Sequence, residues 1–326
     1  MYSIRLPVIP LYLLRQFQVE DVSDTRFRSS ARLLQSMWRE DQNLPIGYHQ
    51  QPNEQYRFLG SRIDVPSAMS GRNFLSPQIA RLVKYETVYR EVGALIEEDR
   101  LWQNLLSSQS LCFNLFGEMK LDRSIATRFW SRLFPEQMAD VESIYFEHSP
   151  GRGDQTFIAD HTAFDVMIVG KNRKGQRAFI AIEVKYSESM NEPLANLRPR
   201  YDEVSAYSDL YFNPDESALR CSPLQQLWRE HMLCQTMLDN GLYERGLFLV
   251  IYPEKNEDCA NAVSKFRQHL KGPREGKSIF AAVTLEDCIK ELREIGEGKS
   301  ADALFARYLD FDRIEEAIFE PQDHSR

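Results

Sequence analysis

"FIAIEVKYSE", residues 179–188, sets two opposite charges, Glu183 and Lys185, inside a run that otherwise reads as a buried strand. Phe179, Ile180, Ile182 and Val184 supply the apolar, largely β-branched side chains that strands favour. A stranded ion in an interior is costly and even a paired one adds little stability, so the two charges ask for a reason other than folding. Residues two apart on a strand project to the same side, so Glu183 and Lys185 share one face while Ile182 and Val184 pack behind. The plainer alternative is an edge strand with one solvated face, but the flanking run is too apolar on both sides for an ordinary surface strand.

Working outward, "TAFDVMIVG" (162–170) reads as the preceding strand and "KNRKGQR" (171–177) as the turn that joins the two. A hairpin of this kind lays Asp165 next to Glu183. The alternative for Asp165 is a strand-start residue bonded to its own backbone. Two carboxylates at such range repel and raise each other's pKa unless a cation sits between them. Hard oxygen ligands in pairs, with room left for water and substrate oxygens, suit Mg²⁺. Lys185 then makes sense as a point charge beside an attacking water or a phosphate in its transition state. Glu-x-Lys alone is a weak signal. It occurs four times, at Glu118/Lys120, Glu183/Lys185, Glu275/Lys277 and Glu297/Lys299, but only the second lies on an apolar strand.

The neighbouring segments give the order of elements. "VESIYFEHS" (141–149) reads as a further strand ahead of the hairpin. "PLQQLWREHMLCQTMLDNG" (223–241) reads as a helix opened by Ser222 and Pro223 and closed by Asn240-Gly241. "GLFLVIYP" (246–253) suits a central strand, and "SIFAAVTLEDCIKELREI" a short strand followed by a helix. Upstream, Phe27, Ala31, Leu34 and Trp38 recur at helical spacing in residues 25–40. "NLPIGYHQQPNEQ" and "VPSAMSGRNFLSPQ" carry loop composition, and a longer helical stretch runs from about Pro77 to Lys120 with a break around Ser107–Ser110. The expected architecture is α/β, with a mixed central sheet flanked by helices. Residues 1–100 are expected to form a helical and irregular N-terminal region packed on a domain spanning 101–326.

Asp165 followed eighteen positions later by Glu183-Val184-Lys185, with a helical glutamate upstream, resembles the PD-(D/E)XK phosphodiesterase superfamily, the restriction-endonuclease-like fold with an αβββαβ core. By that resemblance Asp165 and Glu183 are metal ligands, Lys185 stands beside the attacking water, and Glu118 in "CFNLFGEMK" is the additional acid from the first helix. The proline usual before the Asp is replaced by Phe164. "RLWQNLLSSQSLCFNLFGEM", "HSPGRGD" and "TAFDVMIV" are similar to a bacterial subgroup of restriction-endonuclease-like proteins, over roughly residues 25 to 310. The resemblance implies a Mg²⁺-dependent nuclease, with Mn²⁺ as a substitute, that cleaves DNA as an endonuclease of restriction or defence type. RNA stays open as a substrate, and so does a homodimer, since double-strand cutting by a single site usually takes two copies. The rival expectation is a catalytically inactive nuclease-fold protein that binds nucleic acid or a protein partner.

Gln225 and Arg229, four apart on the second helix, are candidates to bind substrate phosphate, as is Arg152 in the Gly-rich turn that also holds Asp154. For Gln226 and His231 a plain polar helix face is the better account. His148 and His161 show no ligand spacing. Net charge is −8, but residues 171–200 hold seven Lys/Arg against three Glu, while residues 282–326 hold twelve acids against six bases. A local basic surface therefore survives near the odd strand. Five scattered cysteines without a C-x-x-C pair suggest neither a disulfide framework nor a zinc site. The Pro-broken N-terminus lacks a signal-peptide pattern and no run is long enough to span a membrane, so a soluble cytoplasmic protein is expected.

Overall fold

The computed structural model describes residues 5–50, 55–191 and 193–319; positions 51–54 of the first loop-like stretch, and Glu192, lie outside them. The central element is a five-stranded sheet in the order β3 (Asp140–His148), β4 (Phe164–Lys171), β5 (Arg177–Val184), β6 (Arg245–Tyr252), β7 (Ile279–Thr284). β3, β4 and β5 are antiparallel neighbours, whereas β5, β6 and β7 run parallel, so the sheet is mixed. The turn at 172–176 closes the β4–β5 hairpin with Asn172, whose side-chain oxygen accepts from the backbone N–H of Lys174 and of Gln176. That local chemistry pins the register from Lys171↔Arg177 to Val166↔Ile182.

The two faces of the sheet bury different cores. On one, Val166, Ile168, Ile180, Ile182, Val184, Leu249 and Ile251 join a cluster with helices α2 (Arg26–Asp41), α4 (Pro77–Val88), α6 (Ser108–Leu121), α7 (Arg123–Leu133), α11 (Leu285–Glu294), α12 (Gly298–Tyr308) and α13 (Asp312–Phe319). On the other, Met167, Phe179, Ala181, Phe248 and Val250 pack against α8 (Pro199–Ser208), α9 (Gln225–Asp239) and α10 (Glu257–His269). The result is a three-layer α/β/α arrangement, as the element order implies. Its β6 strand, paired on both edges and apolar on both faces, has the composition that such a position demands.

The N-terminal hundred residues hold more regular structure than their composition signals. The loop-like stretch at 43–55 contains strand β1 (Ile46–Gln50), paired antiparallel with β2 (Tyr56–Ile63). Gly47 is there for proximity rather than for a turn, since a Cβ on it would sit 2.2 Å from the Ile63 carbonyl oxygen. The second loop-like stretch begins with a short helix, α3 (Val65–Met69), capped by Asp64. The expected helical run from Pro77 to Lys120 is three helices: α4, α5 (Glu98–Gln103) and α6, with Ser107 ahead of α6 at the expected break. A short α1 (Leu11–Gln16) opens the described chain. α2 matches its periodicity and is capped by Thr25, whose hydroxyl accepts from the Arg28 N–H. α9 begins at Gln225, slightly later than Ser222-Pro223 suggests, and ends at Asp239, with Gly241 just beyond it in left-handed geometry (φ +70°). None of the five cysteines is in a disulfide, and four are buried. Among the described residues no helix is long and apolar enough to cross a membrane.

Candidate active site

The sheet register brings three acids into one row. Pairs Phe146↔Val166 and His148↔Phe164 make Glu147 of β3 and Asp165 of β4 cross-strand neighbours. One position past the pair Val166↔Ile182, Asp165 meets Glu183 of β5. There the ladder gives way to a side chain: Asp165 Oδ2 accepts from the Val184 N–H at 2.7 Å. Glu147 adopts a left-handed backbone (φ +50°), a kink at the end of β3. Its Oε1 accepts from Gln109 Nε2 at 2.8 Å, which ties the row to the first turn of α6.

Lys185 extends from the same face, its backbone N–H still bonded to Ile251 of β6 at 2.8 Å. Its Nζ lies 3.0 Å from Glu183 Oε1 and donates to Gln226 Oε1 at 3.0 Å. Gln226 Nε2 in turn donates to Glu183 at 2.7 Å and to Glu230 at 2.8 Å. Helix α9 thus locks the strand's charge pair from above. Glu188, at the end of the opening stretch, accepts from the Tyr186 N–H and pairs with Arg100 of α5 at 2.9 Å.

These groups line a cleft of about 550 Å³ whose walls, among the described residues, carry seven carboxylates and five Lys or Arg side chains. The electrostatics divide them. Burial, then the charges of Glu183 and Glu147, push the Asp165 carboxyl well above its ordinary value. Burial and Glu183 raise Glu147 to about 7, against the pull of the Gln109 hydrogen bond. Glu230, only 2% exposed and with Oε2 lacking any hydrogen-bond partner, is raised by burial and by Glu183. Glu188 goes the other way: burial pushes it up, but Lys185 and Arg100 together bring it below its usual range. The cleft therefore holds an excess of mutually repelling oxygens that its own cations do not neutralise.

Of the other residues singled out in the sequence, Gln225, Arg229 and Arg152 all line the cleft, but each holds a loop. Gln225 brackets Ala195, accepting from its N–H at 2.7 Å and donating to its carbonyl at 2.8 Å. Arg229 donates to Asp160 at 2.9 Å and Thr162 at 2.6 Å, leaving its buried Nε without a partner. Arg152 donates to the Gly93 carbonyl at 2.8 Å. Glu118 is not brought to the acid row. It lies nine residues along α6 from Gln109, roughly 14 Å at helical rise, where it accepts from Ser300 of α12. Asp154 caps its own turn through Thr156. His148 pairs with Glu91, and His161 lies exposed at the cleft wall. His231 is no surface residue: it stacks near Phe248 inside the second core, where burial lowers it to about 4. Gln226, expected on a plain polar face, is instead the hub of the site. Glu147, Gln109, Arg100 and Glu230 escape the sequence reading, although "VESIYFEHS" does place an acid immediately before the strand's last residue.

A sequence model of the PD-(D/E)XK nuclease superfamily matches residues 22–310. The chain belongs to the PD-(D/E)XK nuclease superfamily. Neither the curated proteins nor the solved structures contain a match to it. Membership in this superfamily implies a nuclease hydrolase with a nucleic-acid substrate, and such enzymes generally use divalent metals. The donor set fits such an ion. Among the described residues no three His, Cys, Asp or Glu side chains form a ready-made metal cage. Mg²⁺, however, is usually held by one or two carboxylates with water and substrate oxygens completing its shell, and Asp165 and Glu183 are adjacent hard oxygen donors, the charge of Glu183 adding to burial in pushing the Asp165 carboxyl up.

Proposed function

We propose that this member of the PD-(D/E)XK nuclease superfamily is a Mg²⁺-dependent DNA endonuclease, with Mn²⁺ able to substitute, whose reaction centres on Asp165, Glu183 and Lys185. The observation that supports it is the juxtaposition of two carboxylates on adjoining strands with an ammonium 3.0 Å from one of them, inside a cleft with surplus negative charge. Asp165 and Glu183 would hold the ion. A bound divalent cation neutralises phosphate charge and lowers the pKa of water at neutral pH. Lys185, held by Glu183 and Gln226, would stand beside the attacking water and offset charge that grows on the phosphate. Gln226 keeps both partners in register, so the reacting water finds a pre-set geometry. Arg152 and Arg229 hold the walls against which the phosphodiester backbone lies. The restriction or defence role follows the restriction-endonuclease-like resemblance, and the cytoplasmic setting follows the scattered cysteines and the lack of a signal-peptide pattern. We take residues 101–326 as the nuclease domain and 1–100 as the region that packs on it.

The test is cleavage of supercoiled and linear DNA, with and without Mg²⁺ or Mn²⁺, by wild type, Asp165→Ala and Lys185→Ala. Both variants should lose about 10²-fold or more in rate, the scale of a removed transition-state interaction, while Glu118→Gln stays near wild type. Undiminished activity in either alanine variant would refute the assignment.

A further inference from the structure

Helix α4 buries one side only. Ile79 and Val83 face the interior, Ile79 against Gly117 of α6. Arg81, Lys84, Tyr85, Val88 and Tyr89 recur at three and four on the opposite side, and all are exposed. Tyr85 and Tyr89 form a tilted pair with ring centroids 4.6 Å apart, and they are 58% and 71% exposed. An aromatic pair beside an exposed Val88 is a surface that water does not favour, and such patches mark interaction sites. Among the described residues Arg81 and Lys84 make no ion pair and no side-chain hydrogen bond. The helix's one acid, Glu86, turns away to Lys120 at 2.8 Å. In a chain of net charge −8, this face is positive.

The chain that leaves this face leads to the cleft. The chain leaving Tyr89 runs through Arg90 and Val92 to Leu95 and Glu97, which line the cleft. Glu91 on that segment bonds His148, the neighbour of Glu147 in the acid row. A second groove of about 470 Å³ lies along that segment, lined by Val88, Arg90 and Val92 together with Glu91 and Glu98.

We propose that this face of α4 docks single-stranded nucleic acid, with bases stacked on Tyr85 and Tyr89 and phosphates against Arg81 and Lys84, and feeds it toward the cleft. The proposal rests on the nuclease assignment above and adds to it the state of the substrate. Stacking on aromatic side chains needs an open base face, which a duplex hides except at its ends, and a cationic track beside the stack follows the backbone without reading sequence. Charge alone would suit a duplex equally; the tyrosine pair is what selects the unpaired strand.

The test uses the full chain in EDTA, so that no turnover intervenes, and reads fluorescence anisotropy of a labelled oligothymidylate and of a duplex. Tyr85→Ala/Tyr89→Ala should raise the single-strand Kd about tenfold and leave its salt dependence and the duplex Kd unchanged. Arg81→Ala/Lys84→Ala should instead flatten log Kd against log salt by roughly 0.7 for each phosphate that is no longer neutralised. All four side chains are exposed, so thermal melting should report an unchanged fold. Wild-type Kd and salt slope in both double variants, in a protein that still cleaves DNA, would overturn the docking surface and leave the nuclease assignment standing. A wild-type chain that neither binds nor cleaves nucleic acid would overturn the assignment, and the surface with it.

Discussion

Two charge clusters lie buried on opposite faces of the sheet, and they are resolved in opposite ways. On the α2/α12 side, Arg307 is fully buried, but neutral oxygens surround it: the Asn73 carbonyl at 2.6 Å, the Asn73 side chain, and Gln35 Oε1 at 3.3 Å. Its guanidinium also lies over the rings of Trp38 at 4.2 Å and Tyr308 at 4.8 Å. Nothing is missing from that arrangement. On the α9 side, Glu147, Asp165, Glu183 and Glu230 face one another with one lysine among them, and a Glu230 oxygen has no partner. The first cluster is complete within the chain; the second gains from a cation brought from outside. Buried charge by itself is therefore no mark of function, whereas buried charge left uncompensated in a cleft is.

The two clusters should respond to neutralisation with opposite signs of stability change. Arg307→Met strips the Asn73 and Gln35 oxygens of their donor in a dry interior and should destabilise the protein by on the order of 3 kcal/mol in chemical denaturation. A stable Arg307→Met variant would erase the distinction. Asp165→Asn keeps an oxygen for the Val184 N–H while removing repulsion, so the metal-free protein should gain on the order of 1 kcal/mol. A loss instead would mean that the acids are already balanced.

Glu147 sharpens the contrast through pH. Its folded value of about 7 lies above the ordinary carboxylate value, so folding favours the protonated form. Stability from this group is present below the unfolded pKa and is lost as pH rises through about 7. In EDTA, Glu147→Gln should therefore melt with wild type near pH 4.5 and a few degrees above it near pH 8. A gap that does not widen with pH would remove Glu147 from the row.

How much of this was legible depended on which residues local chemistry fixes. Asp165, Glu183 and Lys185 could be read because a five-residue turn ties β4 to β5, so their spacing determines their register. Glu147 was hidden by the shift in pairing between Val141 and Ser143 and by its own kinked backbone, neither of which alternation reveals. Glu118 shows the limit of helical periodicity: the spacing gives a face but not which end of the helix meets the cleft, and it is the first turn, through Gln109, that does. Gln226 looked like any polar helix residue because its strand partners, Glu183 and Lys185, lie more than forty positions away in sequence. The hairpin β1–β2 was masked by Pro45 and Gly47, and α8 by a polar, Pro-led sequence with a weak apolar stripe.

The central claim is that the acid pair of β4 and β5 is built to hold a divalent ion, and calorimetric titration of the chain with Mn²⁺ tests it without any substrate. The account predicts saturable binding to wild type that disappears in Asp165→Asn and in Glu183→Gln, while Arg307→Met, where folded, binds as wild type does. Binding that survives both carboxylate substitutions, or a wild-type chain that takes up no ion, would contradict it.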